Sequence, residues 1–198
     1  MKICYLGCKV KYCNCKRISK LNLHTSYWEN RAVTSDEINI INYLFKNKNL
    51  FIDKTILHIG IGNLELAKKI SKFTKNFEDI SISSNEISHG NNLFNNKIKF
   101  YLCDKYSKKF NKIMKKSYDV IIDNNITSYS CCDLAFENLF KLLNSKLKKK
   151  GVIITSLNGL KWTKLLKRKL AFNFKSFFYY KFKEIDGPNR NILNIHKC

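Results

Sequence analysis

The sequence predicts an α/β fold: a doubly wound sheet of seven strands, mostly parallel with an antiparallel C-terminal hairpin, and helices on both faces. Three observations carry that prediction. A short β-branched run, Ile56-Leu57-His58-Ile59, is cut by Gly60 and Gly62 and followed from Leu64 to Phe73 by apolar residues at helical spacing, which reads as strand, glycine turn, helix. Further apolar runs alternate with amphipathic patterns as far as Ser156, the order that lays strands in parallel under helices on both sides. Last, an aromatic stretch from Phe172 to Phe182 is separated from Ile192–His196 by the turn Gly187-Pro188-Asn189, which pairs two terminal strands in opposite directions.

The elements follow in order. Thr34 caps a helix that carries Asp36 and Glu37 in its first turn and Ile38, Ile40, Ile41, Leu44 and Phe45 on its apolar face. Beyond the glycine turn, a second strand is predicted over Asp79 to Ser83, ending at Ser84-Asn85-Glu86, and a third over Ile98 to Cys103, closed by Asp104. A helix from Lys105 to Lys116 leads to a fourth strand, Tyr118 to Ile122, closed by Asp123. Asp133 to Lys150 reads as a long helix with Phe136, Leu139, Phe140, Leu143 and Leu147 inward and Gly151 as its stop, and Val152 to Ser156 as the fifth strand. Leu160 to Leu170 is a basic amphipathic helix. A sheet-covering role is favoured for it over a membrane or nucleic-acid surface.

Composition bounds the function. The 198 residues suit one domain, residues 34–198, preceded by a basic, cysteine-rich arm, residues 1–33. A formal charge of +22 invites a nucleic-acid reading, but arginine occurs only at Arg17, Arg31, Arg168 and Arg190. Lysine's point charge lacks the bidentate fork used for phosphate and base recognition, so the excess reads first as a solvated surface. No run approaches the ~18 apolar residues of a membrane span or the core of a signal peptide, which places the chain in the cytoplasm. In that compartment the cysteines are thiols or metal ligands. Cys4, Cys8, Cys13 and Cys15 either wrap a zinc ion or sit incidentally in a basic tail. Tyr27 and Trp28 read as an aromatic anchor or a substrate platform.

Together the motifs resemble one family. Gly60-x-Gly62-Asn63 between strand and helix, Glu86-Ile87-Ser88 after the second strand, Asp104 after the third, Tyr118 to Asp123 as the fourth, and Leu147 to Ile154 leading into the fifth are similar to the class I S-adenosylmethionine-dependent methyltransferases. The resemblance runs from Thr55 to Ser156 and rests on order and spacing. It implies a Rossmann-like domain, S-adenosylmethionine as cofactor, and residue roles. Gly60, Gly62 and Asn63 would pass close to the methionine part of the cofactor, with His58 beneath them as either a contact or a core residue. Glu86 would accept from both ribose hydroxyls, with Ile87 beside it, Asp104 from the adenine amino group, with Lys105 flanking the ring, and Asp123 and Asn124 would lie beside the methyl sulfonium. Asp123 is then the candidate catalytic residue.

Two positions depart from the family's pattern: His58 stands where an acid is usual, and Leu64 where a third glycine is usual. Glu65 occupies the glycine position of a dinucleotide fingerprint, which counts against a nicotinamide cofactor. Asp123-Asn124-Asn125-Ile126 lacks the Asp/Asn-Pro-Pro-aromatic pattern of enzymes that methylate exocyclic base amines, so a small-molecule acceptor is expected. The alternatives are an inactive methyltransferase-like binding protein and an RNA-directed methyltransferase that uses the lysine-rich surface.

Overall fold

The computed structural model describes residues 32–95, 97–130, 133–160, 182–184 and 192–196. The cysteine arm, Tyr27 and Trp28, the basic helix of residues 160–170 beyond its first residue, and the Gly187-Pro188-Asn189 turn lie outside them.

Helix α1 (Ser35–Lys46) leads into β1 (Thr55–Ile59), α2 (Glu65–Ile70), β2 (Asn76–Ser81) and α3 (Ser84–Phe94). Next come β3 (Lys99–Leu102), α4 (Lys108–Ile113), β4 (Tyr118–Asp123), α5 (Asp133–Ser145), β5 (Leu147–Ser156), the short α6 (Leu157–Leu160), β6 (Phe182–Glu184) and β7 (Ile192–His196). The sheet order is β3-β2-β1-β4-β5-β7-β6. Strands β3, β2, β1, β4 and β5 are parallel neighbours, and β7 pairs antiparallel to both β5 and β6.

Alternation along the central strands builds two cores. Ile56, Val120, Ile122, Val152 and Ile154 face Ile40 and Leu44 of α1 and Leu66, Ala67 and Ile70 of α2. Leu57, Ile59, Ile121 and Ile153 face Phe110 of α4 and Phe136, Leu139, Phe140 and Leu143 of α5. Burial on both faces of β1, β4 and the second half of β5 is what makes those segments near-continuous apolar runs. Helix α1 turns by one position from its predicted face: Tyr43 is buried, while Ile38 and Phe45 are exposed.

Three element boundaries differ from expectation for physical reasons. The long helix stops at Ser145 rather than Lys150, because Leu147 is recruited into β5 opposite Tyr118. Between that pair and Val152–Val120 the strand bulges: Lys150 takes a left-handed φ of 65°, and Lys148 reaches Asp119 at 2.7 Å. Gly151 serves this bulge and not a helix end, since a Cβ there would stand 2.9 Å from the Lys148 carbonyl oxygen. Strand β2 begins at Asn76, not Asp79, and buries the adjacent acids Glu78 and Asp79. Glu78 accepts from the Tyr118 hydroxyl at 2.7 Å and pairs with Lys116 at 3.2 Å. Helix α4 is shorter than Lys105–Lys116, because Ser107 caps its start by accepting from the Phe110 N–H. Lys105 is thereby left in the preceding turn.

Candidate functional site

The loops that follow β1, β2, β3 and β4 meet at the C-terminal edge of the sheet, where open α/β sheets bind ligands. After β1, the Gly60 N–H donates to the Ile80 carbonyl at 2.8 Å, extending the ladder by one bond. Gly60 and Gly62 then take φ of +93° and +56°, and nothing lies within 4 Å of where either Cβ would stand. Both features suit glycine, and they leave main chain uncovered toward the cleft. Leu64, which stands in place of a third glycine, adopts the same left-handed region at φ 66° with its side chain fully buried. Asn63 closes the turn by accepting from the Glu65 N–H.

Beneath the turn, His58 is in register with Asp79 on β2, and its Nδ1 lies 2.7 Å from Asp79 Oδ1, with the carboxylate off the line of the ring N–H. Burial alone would lower the His58 pKa, but the Asp79 charge and contact outweigh it, with a smaller contribution from Glu37, and raise it. Glu37, from the first turn of α1, has its own pKa raised by burial, an effect partly offset by His58. His58 is therefore a buried imidazole with acids on two sides, and burial raises the Asp79 carboxyl pKa against the opposing effect of His58. Neither partner was visible in the sequence, because Glu37 reads as a helix-start acid and Asp79 as a strand-end residue.

Glu86 sits in the first turn of α3 rather than at the end of β2, and it is buried. Ser83 caps that helix by accepting from the Glu86 N–H, which turns the chain so that the carboxylate comes back over the strand end. The Ser81 hydroxyl, on the last residue of β2, donates to Glu86 Oε2. Ser81 was not a predicted site residue. Ile87 follows, half-buried. Across from Glu86, Tyr129 holds a left-handed φ of 61° in the loop after β4, and burial followed by the Glu86 charge raises its phenol pKa.

At the end of β3, Asp104 Oδ1 accepts from the Tyr106 N–H at 2.8 Å, and burial raises its carboxyl pKa against the opposing effects of that bond and of Lys105. Lys105 is buried and points to β4. Its Nζ lies 2.8 Å from Asp123 Oδ2, 2.9 Å from the Asn125 carbonyl oxygen and 3.3 Å from Ser128 Oγ. Asp123 Oδ1 accepts from the Asn125 N–H at 3.1 Å, so both carboxylate oxygens are engaged. The Asn124 side-chain oxygen is buried with no hydrogen-bond partner among the described residues. From the other side, Ser156 Oγ donates to the Asn124 carbonyl oxygen at 2.9 Å, and Thr127 Oγ1 donates to the Gly159 carbonyl oxygen at 2.6 Å.

The structure thus brings Gly60, Gly62, Asn63, Glu86, Ile87, Asp104, Lys105, Asp123 and Asn124 to one edge of the sheet, with His58 beneath. Among the described residues no group of histidine, cysteine or acidic side chains is arranged to hold a metal; Cys4, Cys8, Cys13 and Cys15 lie outside them. No described helix is long and apolar enough to cross a membrane.

No family model matches the chain, and no curated protein matches it in sequence. Solved structures do resemble it. The N-methyltransferase NodS from Bradyrhizobium japonicum WM9, in complex with S-adenosyl-L-homocysteine, superposes with a TM-score of 0.57 at 11% identity, over 91% of this chain and 95% of that one. An rRNA methylase from Streptococcus thermophilus gives 0.57 at 7% identity, over 84% and 99%. The ribosomal protein L11 methylase from Lactobacillus delbrueckii subsp. bulgaricus gives 0.52 at 14%, over 82% and 79%. Likeness at such low identity is a likeness of architecture, and the architecture agrees with the motif order of residues 55–156. The chain has the fold of the S-adenosylmethionine-dependent methyltransferases.

Proposed function

We propose that this protein binds S-adenosylmethionine at the C-terminal ends of β1 to β4 and transfers its methyl group to a small-molecule acceptor. The observation that carries the reading is the pairing of the uncovered glycine turn with the buried Glu86 carboxylate one strand away. The residues present fit that cofactor. The open backbone at Gly60 and Gly62 gives its methionine part room, Glu86 is an acceptor for two ribose hydroxyls, Asp104 is an acceptor for an exocyclic amine, and the orphaned Asn124 oxygen can take a further N–H. When bound, the cofactor supplies a methyl group already activated on sulfur.

The protein's own work is alignment and exclusion of water. Asp123, held on both oxygens, acts as a positioning residue: with Lys105 it fixes the loop of residues 124–130 that would border the acceptor. A general base is needed only where the acceptor atom must lose a proton as it takes the methyl group. The missing Pro-Pro-aromatic pattern after Asp123 supports a small molecule over an exocyclic base amine.

Calorimetric titration with S-adenosylhomocysteine tests this reading. Submillimolar binding, weakened about 10-fold or more by Glu86→Ala through loss of charge-assisted hydrogen bonds, is the expected result. Failure to bind at millimolar concentration would overturn it.

A further inference from the structure

The lysines are not spread evenly over the sheet. Each of the five parallel strands is entered through lysine: Lys54 before β1, Lys75 before β2, Lys97 before β3, Lys116 before β4 and Lys146 before β5. In the described loops that leave these strands, Lys105 is the one lysine, and it is buried on Asp123. The acids Glu86, Asp104 and Asp123 lie at the C-terminal edge, and Asp53, Glu78 and Asp119 on the entry side. Two acids of the entry side are neutralised in place. Glu78 is held by Tyr118 and Lys116, and Asp119 by Lys148 and the Thr55 N–H.

On that entry side, between α2, the start of β2 and the end of α3, lies a groove of about 400 Å³. Its walls carry Lys68, Lys72, Lys75, Lys97, Lys99 and Lys116, and its one acid is the neutralised Glu78. Lys68, Lys75, Lys97 and Lys99 have no carboxylate partner among the described residues. Phe94, tilted against Phe100 at a centroid distance of 5.9 Å, gives the groove an aromatic wall.

We propose that this groove binds the phosphodiester backbone of a single nucleic-acid strand. Unpaired lysines along a concavity supply point charges that follow a backbone without reading bases, and an aromatic wall suits an unpaired base. The groove has the volume of a small-ligand pocket, which admits one strand and not the convex face of a duplex. A lipid surface would call for a flat or protruding patch. The groove is lined by Asn76, Phe77 and Glu78, three to five residues along β2 from the level of the glycine turn, so it lies roughly 10–17 Å from that turn and the bound strand is an anchor beside the cofactor edge and not in it. The proposal does not rest on the methyl-transfer reading, and its test contains no cofactor.

The experiment is fluorescence anisotropy of the full chain with a labelled single-stranded 12-nucleotide RNA across a salt series. The triple variant Lys75→Gln, Lys97→Gln, Lys99→Gln is compared with a variant of equal charge outside the groove, Lys112→Gln, Lys141→Gln, Lys149→Gln. The groove variant should flatten the slope of log K against log salt by about 2, since each single-strand phosphate contact contributes about 0.7; the control should keep the wild-type slope. A milder variant, Lys97→Gln alone, should give about a third of the effect, which guards against a misfolded triple. Equal flattening in both triples would make the binding a property of net charge and overturn the proposal. So would a duplex of the same length bound as tightly as the single strand with the same groove dependence. Vesicles of phosphatidylglycerol that bind in a groove-dependent way, with RNA binding unaffected by the groove variant, would assign the surface to a membrane instead.

Discussion

Lys105 shows how one side chain decides the geometry of the site. Its ammonium is buried at the end of β3 and holds Asp123, the Asn125 carbonyl and Ser128 at once. Replacing it with methionine keeps the apolar stem but leaves the Asp123 carboxylate buried and unpaired, a change that costs about 3–5 kcal/mol when one partner of a buried pair is removed. The measurement is chemical denaturation of Lys105→Met. Combining Lys105→Met with Asp123→Leu should restore much of the loss, because no buried charge then remains. His58 makes a second prediction at this scale. Its folded pKa lies above its unfolded value, so its contribution to stability is complete below pH 6.5 and is lost as pH rises through the folded value. Denaturation midpoints at pH 6 and pH 9 should therefore show an alkaline loss in the wild type that is absent in His58→Gln. Leu64 pays in backbone strain of roughly 1–2 kcal/mol for a left-handed conformation, and it is retained there by its buried side chain.

At the scale of elements, the loop of residues 124–130 is clamped between the turn after β3 and the start of α6. Gly159 permits the second clamp: a Cβ there would stand 1.9 Å from the Asn124 carbonyl oxygen. Gly159→Ala should destabilise the chain by about 1–3 kcal/mol, the range for a forced backbone shift, read as a lowered thermal midpoint. It should also weaken S-adenosylhomocysteine binding if this loop borders the site. Gly90→Ala, whose Cβ would meet the Phe100 ring at 2.7 Å, should destabilise through α3–β3 packing. These contacts mark the limit of what was legible beforehand. The strands β1 and β4 and the second half of β5 are readable from apolar runs such as Tyr118 to Ile122, because burial on both faces imposes that composition. The early start of β2 was not, because Glu78 and Asp79 are polar and are buried only thanks to Tyr118, Lys116 and His58, partners up to forty positions away. Glu86 is legible as the acid that follows the second strand, but the Ser83 cap and Ser81 contact that aim it come from the fold.

The whole molecule is polarised along its strands. Among the described residues, the open glycines lie at the edge where strands end, and every parallel strand is entered through a lysine, with the acids Asp53, Glu78 and Asp119 beside them. Formal charge summed over the sequence conceals that division, which is why a value of +22 by itself pointed to no particular surface. Cofactor binding at the C-terminal edge of the sheet is tested by hydrogen–deuterium exchange of the full chain with and without S-adenosylhomocysteine. Ligand at that edge should slow exchange in the backbone of residues 59–66, 81–88, 102–106 and 123–129 and leave α5 and the lysine groove unchanged. Unaltered exchange at saturating ligand, or protection confined to any other part of the chain, would contradict it.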